Sequence, residues 1–108
     1  QVIHQTGSRD KTDWHNFYKQ QNIPAHVFAY EDHIQDFYLL ANLIICRAGA
    51  GTLFELAFFA KKAVVIPLKA KTTDHQIANA REMAKRYPDL FIVREQEALL
   101  STLTQLLN

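Results

Sequence analysis

The apolar residues of this chain form short continuous runs, separated by longer stretches with a helical repeat. Three of the runs, Leu43–Cys46, Ala63–Ile66 and Leu90–Val93, are apolar at every position. Strands of this kind are usually buried on both faces, as in a parallel sheet. Two further runs, Val2–Gln5 and His26–Tyr30, have β-type composition. The pattern therefore predicts five strands.

A helical stretch follows each strand, and in the first one Trp14, Phe17 and Tyr18 share one apolar face. The predicted helices are Asp13–Asn22, Ile34–Ala41, Thr52–Ala60, His75–Arg86 and Glu95–Leu107. A repeated strand–helix order is typical of an α/β fold with right-handed crossovers. We therefore expect a Rossmann-like parallel sheet with flanking helices, formed by residues 1–108 as one domain.

The charge, the cysteine count and the spacing of the histidines limit which classes of function are expected. The net charge of +1 gives no strong field, so nucleic acid is not an expected partner. The single cysteine, Cys46, excludes an internal disulfide and lies in an apolar run, where a free thiol behaves as a small hydrophobe. No two of the five histidines lie four residues apart, and a zinc site is not expected.

Two of the three glycines, Gly49 and Gly51, lie between the third strand and its helix. Ligands of α/β proteins bind at such positions, beyond the carboxyl ends of the strands. Backbone N–H groups there, together with the helix N-terminus, suit a phosphate. The Thr52 hydroxyl adds a donor, and Glu55 can accept hydrogen bonds from a ribose diol. The alternative is that these small residues only form a tight strand-to-helix turn.

The longer segment Cys46–Glu55, with the sequence CRAGAGTLFE, resembles the donor-site motif of the MurG family of N-acetylglucosaminyltransferases. Four other segments agree with that family in order and spacing: His4–Gly7, Tyr30–Asp32, Ile66–Pro67 and Asp74–Ala80. The resemblance covers nearly the whole chain.

The resemblance implies half of a GT-B glycosyltransferase, in which two Rossmann-like domains face each other across a cleft. Residues 1–108 correspond to part of the C-terminal, UDP-sugar-binding domain, and the first strand and Gly-rich loop of that domain are missing. The expected enzyme is a hexosyltransferase that uses UDP-N-acetylglucosamine. Its catalytic base lies in the N-terminal acceptor domain, so no catalytic residue is expected in this chain, which we expect to be inactive alone.

The resemblance also assigns roles to residues. The backbone at Ala50-Gly51-Thr52 faces the diphosphate, Glu55 binds the ribose, and the Tyr30-Glu31 segment meets the uracil. Positions 75 and 76 read the sugar hydroxyls, with His75 standing where some relatives have glutamine. Contacts with the donor substrate, UDP-N-acetylglucosamine, are therefore expected from ten residues: Gly49, Ala50, Gly51, Thr52, Glu55, His75, Gln76, Asn79, Tyr30 and Glu31.

No Asp-x-Asp pair of the kind that holds Mg²⁺ on a diphosphate occurs in the sequence, so no metal or cofactor is expected at the site. The helix N-terminus at Gly51-Thr52 then supplies the positive potential for the leaving group. Arg47 either approaches the diphosphate or pairs with a carboxylate that shapes the loop. The second role is favoured because Arg47 precedes the glycines.

The expected partners are UDP-N-acetylglucosamine and, through the missing domain, the lipid-linked muramyl-pentapeptide precursor of peptidoglycan. The complete protein is expected to be peripheral, on the cytoplasmic face of the bacterial inner membrane. Three alternatives remain open at this point. They are a donor subunit of a two-subunit or lipid-acceptor transferase, a UDP-N-acetylglucosamine 2-epimerase-like isomerase, and a non-catalytic nucleotide-binding fragment.

Overall fold

The computed structural model describes residues 2–7, 10–68 and 74–107, and strands alternate with helices along them. The strands are β1 (Val2–Gln5), β2 (Ala25–Phe28), β3 (Ile44–Cys46), β4 (Ala63–Val65) and β5 (Phe91–Val93). The helices are α1 (Trp14–Gln20), α2 (Ile34–Leu40), α3 (Ala50–Phe58), α4 (Asp74–Arg86) and α5 (Leu99–Leu107). A short 3₁₀ turn, Gln96–Ala98, leads into α5, where the sequence predicts one continuous helix.

All of the described strand pairs are parallel, which confirms the predicted α/β class. β1 pairs with β2 in one sheet, and β3, β4 and β5 form a second sheet with β4 in the middle. The chain divides in the same way into two compact units, Gln1–Phe37 and Tyr38–Asn108.

The second unit contains the fully buried core. All three residues of the central strand β4 are inaccessible to solvent, as an uninterrupted apolar strand predicts. Leu53 and Leu56 of α3 and Met83 of α4 pack in one cluster with Ala63 and Val65 of β4. Complete burial of a leucine side chain contributes about 1.5–3 kcal/mol, so these contacts fix the position of α3 beside the sheet.

The first unit is organised by aromatic contacts, and none of its described residues is fully buried. The predicted apolar face of α1 is present, because the rings of Trp14, Phe17 and Tyr18 lie 5.3 to 6.1 Å apart. Tyr18 Oη is also 2.9 Å from His4 Nδ1 of β1. At the start of α1, the Asp13 carboxylate accepts a hydrogen bond from the Asn16 amide.

Helices α1 and α3 end in the same hydrogen-bonded motif. In α3, the Lys61 amide donates to Leu56 O at 2.9 Å and the Ala60 amide to Ala57 O at 3.0 Å, which is the Schellman pattern. The residue that turns the chain has a positive φ in both helices, 56° at Asn22 and 54° at Ala60. Asparagine tolerates this left-handed conformation, whereas the Cβ of alanine makes it unfavourable.

Replacing Ala60 by glycine should therefore raise the free energy of unfolding by about 1 kcal/mol, because glycine adopts a positive φ without a steric penalty. The matched control is Ala78→Gly, at an exposed position inside α4, which should lower it by about 1 kcal/mol. Urea unfolding measures both changes. Destabilisation by Ala60→Gly would contradict the assignment of this turn.

Candidate functional site

The N-terminus of α3 lies directly beyond the carboxyl end of β3. The helix begins at Ala50 with Gly49 as its N-cap, so the prediction that it starts at Thr52 is wrong. Its first backbone bond runs from the Leu53 amide to Gly49 O at 3.1 Å. The amides of Ala50, Gly51 and Thr52 therefore precede the helical ladder and have no carbonyl partner within it. These three amides and the helix dipole favour an anion.

No side chain of the N-cap shields these amides, because Gly49 has none and makes no capping bond. Gly51 is exposed, and a Cβ placed on it would meet no described atom within 4 Å apart from its chain neighbours and the backbone of its own helix. A Cβ on Gly49 would meet only the Thr52 hydroxyl, at an ordinary 3.8 Å. Packing among the described residues therefore requires neither glycine, whereas both allow close approach of a ligand to the backbone.

Glu55 follows this first turn and is half-buried. Burial, and secondarily the charge of Glu55, raise the pKa of the Tyr38 phenol above its usual value. The carboxylate therefore lies near the phenol of Tyr38. Burial also raises the pKa of the nearby Cys46 thiol to about 11, which keeps it protonated at neutral pH and agrees with its predicted role as a small hydrophobe.

The residues that are predicted to contact the sugar hydroxyl groups lie at the start of α4. His75 is exposed, and it shares a helix face with Asn79 four residues later. Asn79 and Ala50 line the same groove between α4 and α3. Phe54 also lines this groove and is 59% exposed, although its position in an apolar run gives no sign of this. The structure thus brings Asn79 to the N-terminal end of α3.

Gln76 differs from its neighbours because its side-chain oxygen is already engaged. Gln76 Oε1 accepts a hydrogen bond from the Leu68 amide at 3.0 Å. Leu68 lies just after β4, so this hydrogen bond connects α4 to the end of β4. No periodic signal in the sequence points to this pair.

Arg47 has the structural role that the sequence favours, but its partners among the described residues are a carbonyl and a side-chain amide oxygen, not a carboxylate. Its Nη1 donates to Ile66 O at 3.3 Å, just after β4. Its Nη2 donates to Gln96 Oε1 at 3.5 Å, shortly after β5. The guanidinium therefore joins the loops at the carboxyl ends of three strands.

The remaining predicted contacts, Tyr30 and Glu31, belong to the first unit, whereas the other eight belong to the second. Tyr30 is 74% exposed. Glu31 is half-buried, and its carboxylate accepts from the His33 amide at 3.1 Å, which stabilises the turn before α2. Both follow the carboxyl end of β2.

Among the described residues, no three His, Cys, Asp or Glu side chains are grouped so that they could hold a metal ion. Within the same residues, no helix has the length and apolar character needed to cross a membrane.

The second unit thus has an exposed helix N-terminus at the carboxyl edge of a parallel sheet, which is the architecture of nucleotide-binding α/β domains. Residues 1–108 match the family model of the glycosyltransferase family 28 C-terminal domain, and the chain belongs to this family.

Known relatives agree with this assignment. A protein of Geobacter metallireducens is 35% identical over 109 residues, covering 98% of this chain and 30% of the relative. A protein of Geobacter sulfurreducens is 39% identical over 104 residues, covering 96% and 28%. Both are named UDP-N-acetylglucosamine--N-acetylmuramyl-(pentapeptide) pyrophosphoryl-undecaprenol N-acetylglucosamine transferase.

The crystal structure of MurG from Acinetobacter baumannii is similar to this chain with a TM-score of 0.81 and 32% identity, covering 98% of this chain and 32% of that protein. The resemblance to the MurG family and the assignment to half of a GT-B fold are therefore confirmed. The chain spans about a third of the length of these relatives.

Proposed function

We propose that this chain is the donor-binding part of an inverting glycosyltransferase that moves N-acetylglucosamine from UDP-N-acetylglucosamine to the lipid-linked muramyl-pentapeptide precursor of peptidoglycan. The observation that carries the proposal is the N-terminus of α3, where the N-cap residue Gly49 makes no side-chain capping bond and the exposed Gly51 is among the leading amides. The names of the relatives support the choice of donor and acceptor.

In this proposal, the leading amides of α3 bind the diphosphate, with Gly49 allowing its approach. The acceptor hydroxyl, held by another domain, attacks the anomeric carbon, and the bond to the UDP oxygen breaks with inversion. The negative charge that develops on UDP is stabilised by these preorganised amides and the helix dipole, so a metal ion is not needed for that purpose. The catalytic base belongs to the acceptor domain.

The other predicted binding residues contact three different parts of the ligand: the ribose, the uracil and the sugar. Glu55 accepts hydrogen bonds from the ribose hydroxyls, and backbone groups near Tyr30 and Glu31 meet the uracil. His75, Gln76 and Asn79 contact the sugar. A protein with these substrates acts as a peripheral protein at the cytoplasmic face of the bacterial inner membrane, and its membrane and acceptor contacts come from outside these 108 residues.

The substitution Gly51→Ala tests the phosphate contact separately from folding. The added methyl group lies in a helix and meets no described atom within 4 Å outside its chain neighbours and the backbone of that helix, so the stability should stay the same or rise by up to about 1 kcal/mol. The affinity for UDP should fall by about tenfold or more, because the methyl group blocks close approach of phosphate to the amides. Calorimetry and thermal unfolding measure the two effects.

Phe58→Ala is the control for Gly51→Ala. Phe58 is 83% exposed at the far end of α3, so its removal should leave UDP affinity unchanged. Unaltered affinity in Gly51→Ala would contradict the proposed phosphate site.

Glu55→Ala tests the ribose contact. A hydrogen bond to a charged group contributes about 1.5–3 kcal/mol, so we expect roughly tenfold to hundredfold weaker binding of UDP and UDP-N-acetylglucosamine, with or without Mg²⁺. With 2′-deoxy-UDP the same substitution should cost less, because one hydroxyl partner is absent. Calorimetry measures the affinities of the wild type and the variant for both nucleotides, and these four values show how much of the loss depends on the 2′-hydroxyl. Equal losses with UDP and 2′-deoxy-UDP would overturn the assignment of Glu55 to the ribose.

A further inference from the structure

The chain leaves the sheet immediately after β4, and few backbone donors are available among the described residues there, 66–68. The Ile66 amide still belongs to the ladder, since it donates to Cys46 O at 2.8 Å. Pro67 has no N–H group. Leu68 therefore provides the first amide beyond the sheet, and the side chain of Gln76 accepts its hydrogen bond at 3.0 Å.

A second side chain holds the same turn. Arg47, two positions before Gly49, donates to Ile66 O at 3.3 Å. The exit of β4 is thus fixed by Arg47 at a carbonyl and by Gln76 at an amide. Because Arg47 leads into α3 and Gln76 belongs to α4, the two contacts tie this exit to both helices of the candidate site.

The contact also fixes the orientation of the Gln76 amide group. A backbone N–H can only be matched by an acceptor, so the side-chain oxygen must face Leu68. The NH₂ group consequently occupies the other branch of the planar amide, directed away from that contact. A glutamine held in this way offers hydrogen-bond donors to a ligand while its oxygen is occupied.

We propose that Gln76 is a positioning residue, whose oxygen holds the exit of β4 in place and whose nitrogen is thereby presented to the donor sugar as a hydrogen-bond donor. The part that concerns the sugar rests on the proposed function. The part that concerns Leu68 is a property of the ligand-free protein.

Two substitutions of similar length separate these roles. Gln76→Glu keeps an oxygen that can accept from Leu68 and removes the NH₂ donors, whereas Gln76→Met removes both. The primary measurement is hydrogen exchange of the Leu68 amide by NMR without ligand. We expect about fivefold faster exchange in Gln76→Met, the factor for one hydrogen bond of about 1 kcal/mol, and near wild-type exchange in Gln76→Glu.

The amide of Val64, in the buried centre of β4, is the internal control and should exchange equally in all three proteins. Rescue of Leu68 protection by glutamate, but not by methionine, supports positioning. Equal Leu68 exchange in the three proteins overturns it.

Calorimetry then tests the sugar contact through the ratio of the affinities for UDP-N-acetylglucosamine and UDP. The ratio should fall several-fold in Gln76→Glu, since this substitution removes the NH₂ group that donates a hydrogen bond to the sugar but keeps the oxygen that accepts from Leu68. An unchanged ratio overturns the donor role. If the wild type binds neither ligand, the proposed function fails, while Leu68 exchange still decides the positioning role.

Discussion

Parallel pairing of β3, β4 and β5 is the constraint on which the second unit depends. In a parallel sheet every strand ends at the same edge, and here Cys46 is in register with Val65, and Val65 with Val93. The loops that follow these strands therefore begin side by side. This alignment lets a single guanidinium, that of Arg47, reach the loops after β4 and β5. The helix that follows β3 starts at the same edge, so its N-terminus is positioned by the pairing of β3 with the buried central strand β4.

The N-termini of α1 and α3 show how a helix end that is capped by the protein differs from one that could bind a ligand. The first turn of α1 is capped by the carboxylate of Asp13, which accepts from a backbone amide. The first turn of α3 is preceded by Gly49, which has no side chain to do this. A glycine N-cap costs only a few tenths of a kcal/mol relative to a capping side chain. In the proposed function, the diphosphate occupies the place that a capping carboxylate takes in α1.

Much of the fold could be predicted because burial leaves a periodic pattern. The uninterrupted run at Ala63–Val65 is the buried central strand, and β1 has the predicted bounds. The start of α3 was misplaced because Gly49 and Gly51 resemble a loop by propensity, although glycine is tolerated at the N-cap and early in the first turn. Tertiary packing of Leu53 and Leu56 outweighs that local preference.

The candidate site was predicted less completely than the fold. Glycines and Glu55 after an apolar strand indicate where a ligand binds, because the end of a parallel strand is a general site. The hydrogen bond between Gln76 and Leu68 could not be predicted, because a side-chain contact to a backbone amide eight residues away produces no pattern. The carbonyl partner of Arg47 was missed for the same reason, since backbone acceptors are invisible in a sequence.

The most direct test of the account is an NMR titration of the ¹⁵N-labelled protein with UDP and, in parallel, with uridine. If the N-terminus of α3 binds the diphosphate, the amides of Ala50, Gly51 and Thr52 should shift most strongly with UDP and remain almost unchanged with uridine. Equal shifts of these amides with both compounds, or UDP-induced shifts confined to other parts of the chain, would contradict it.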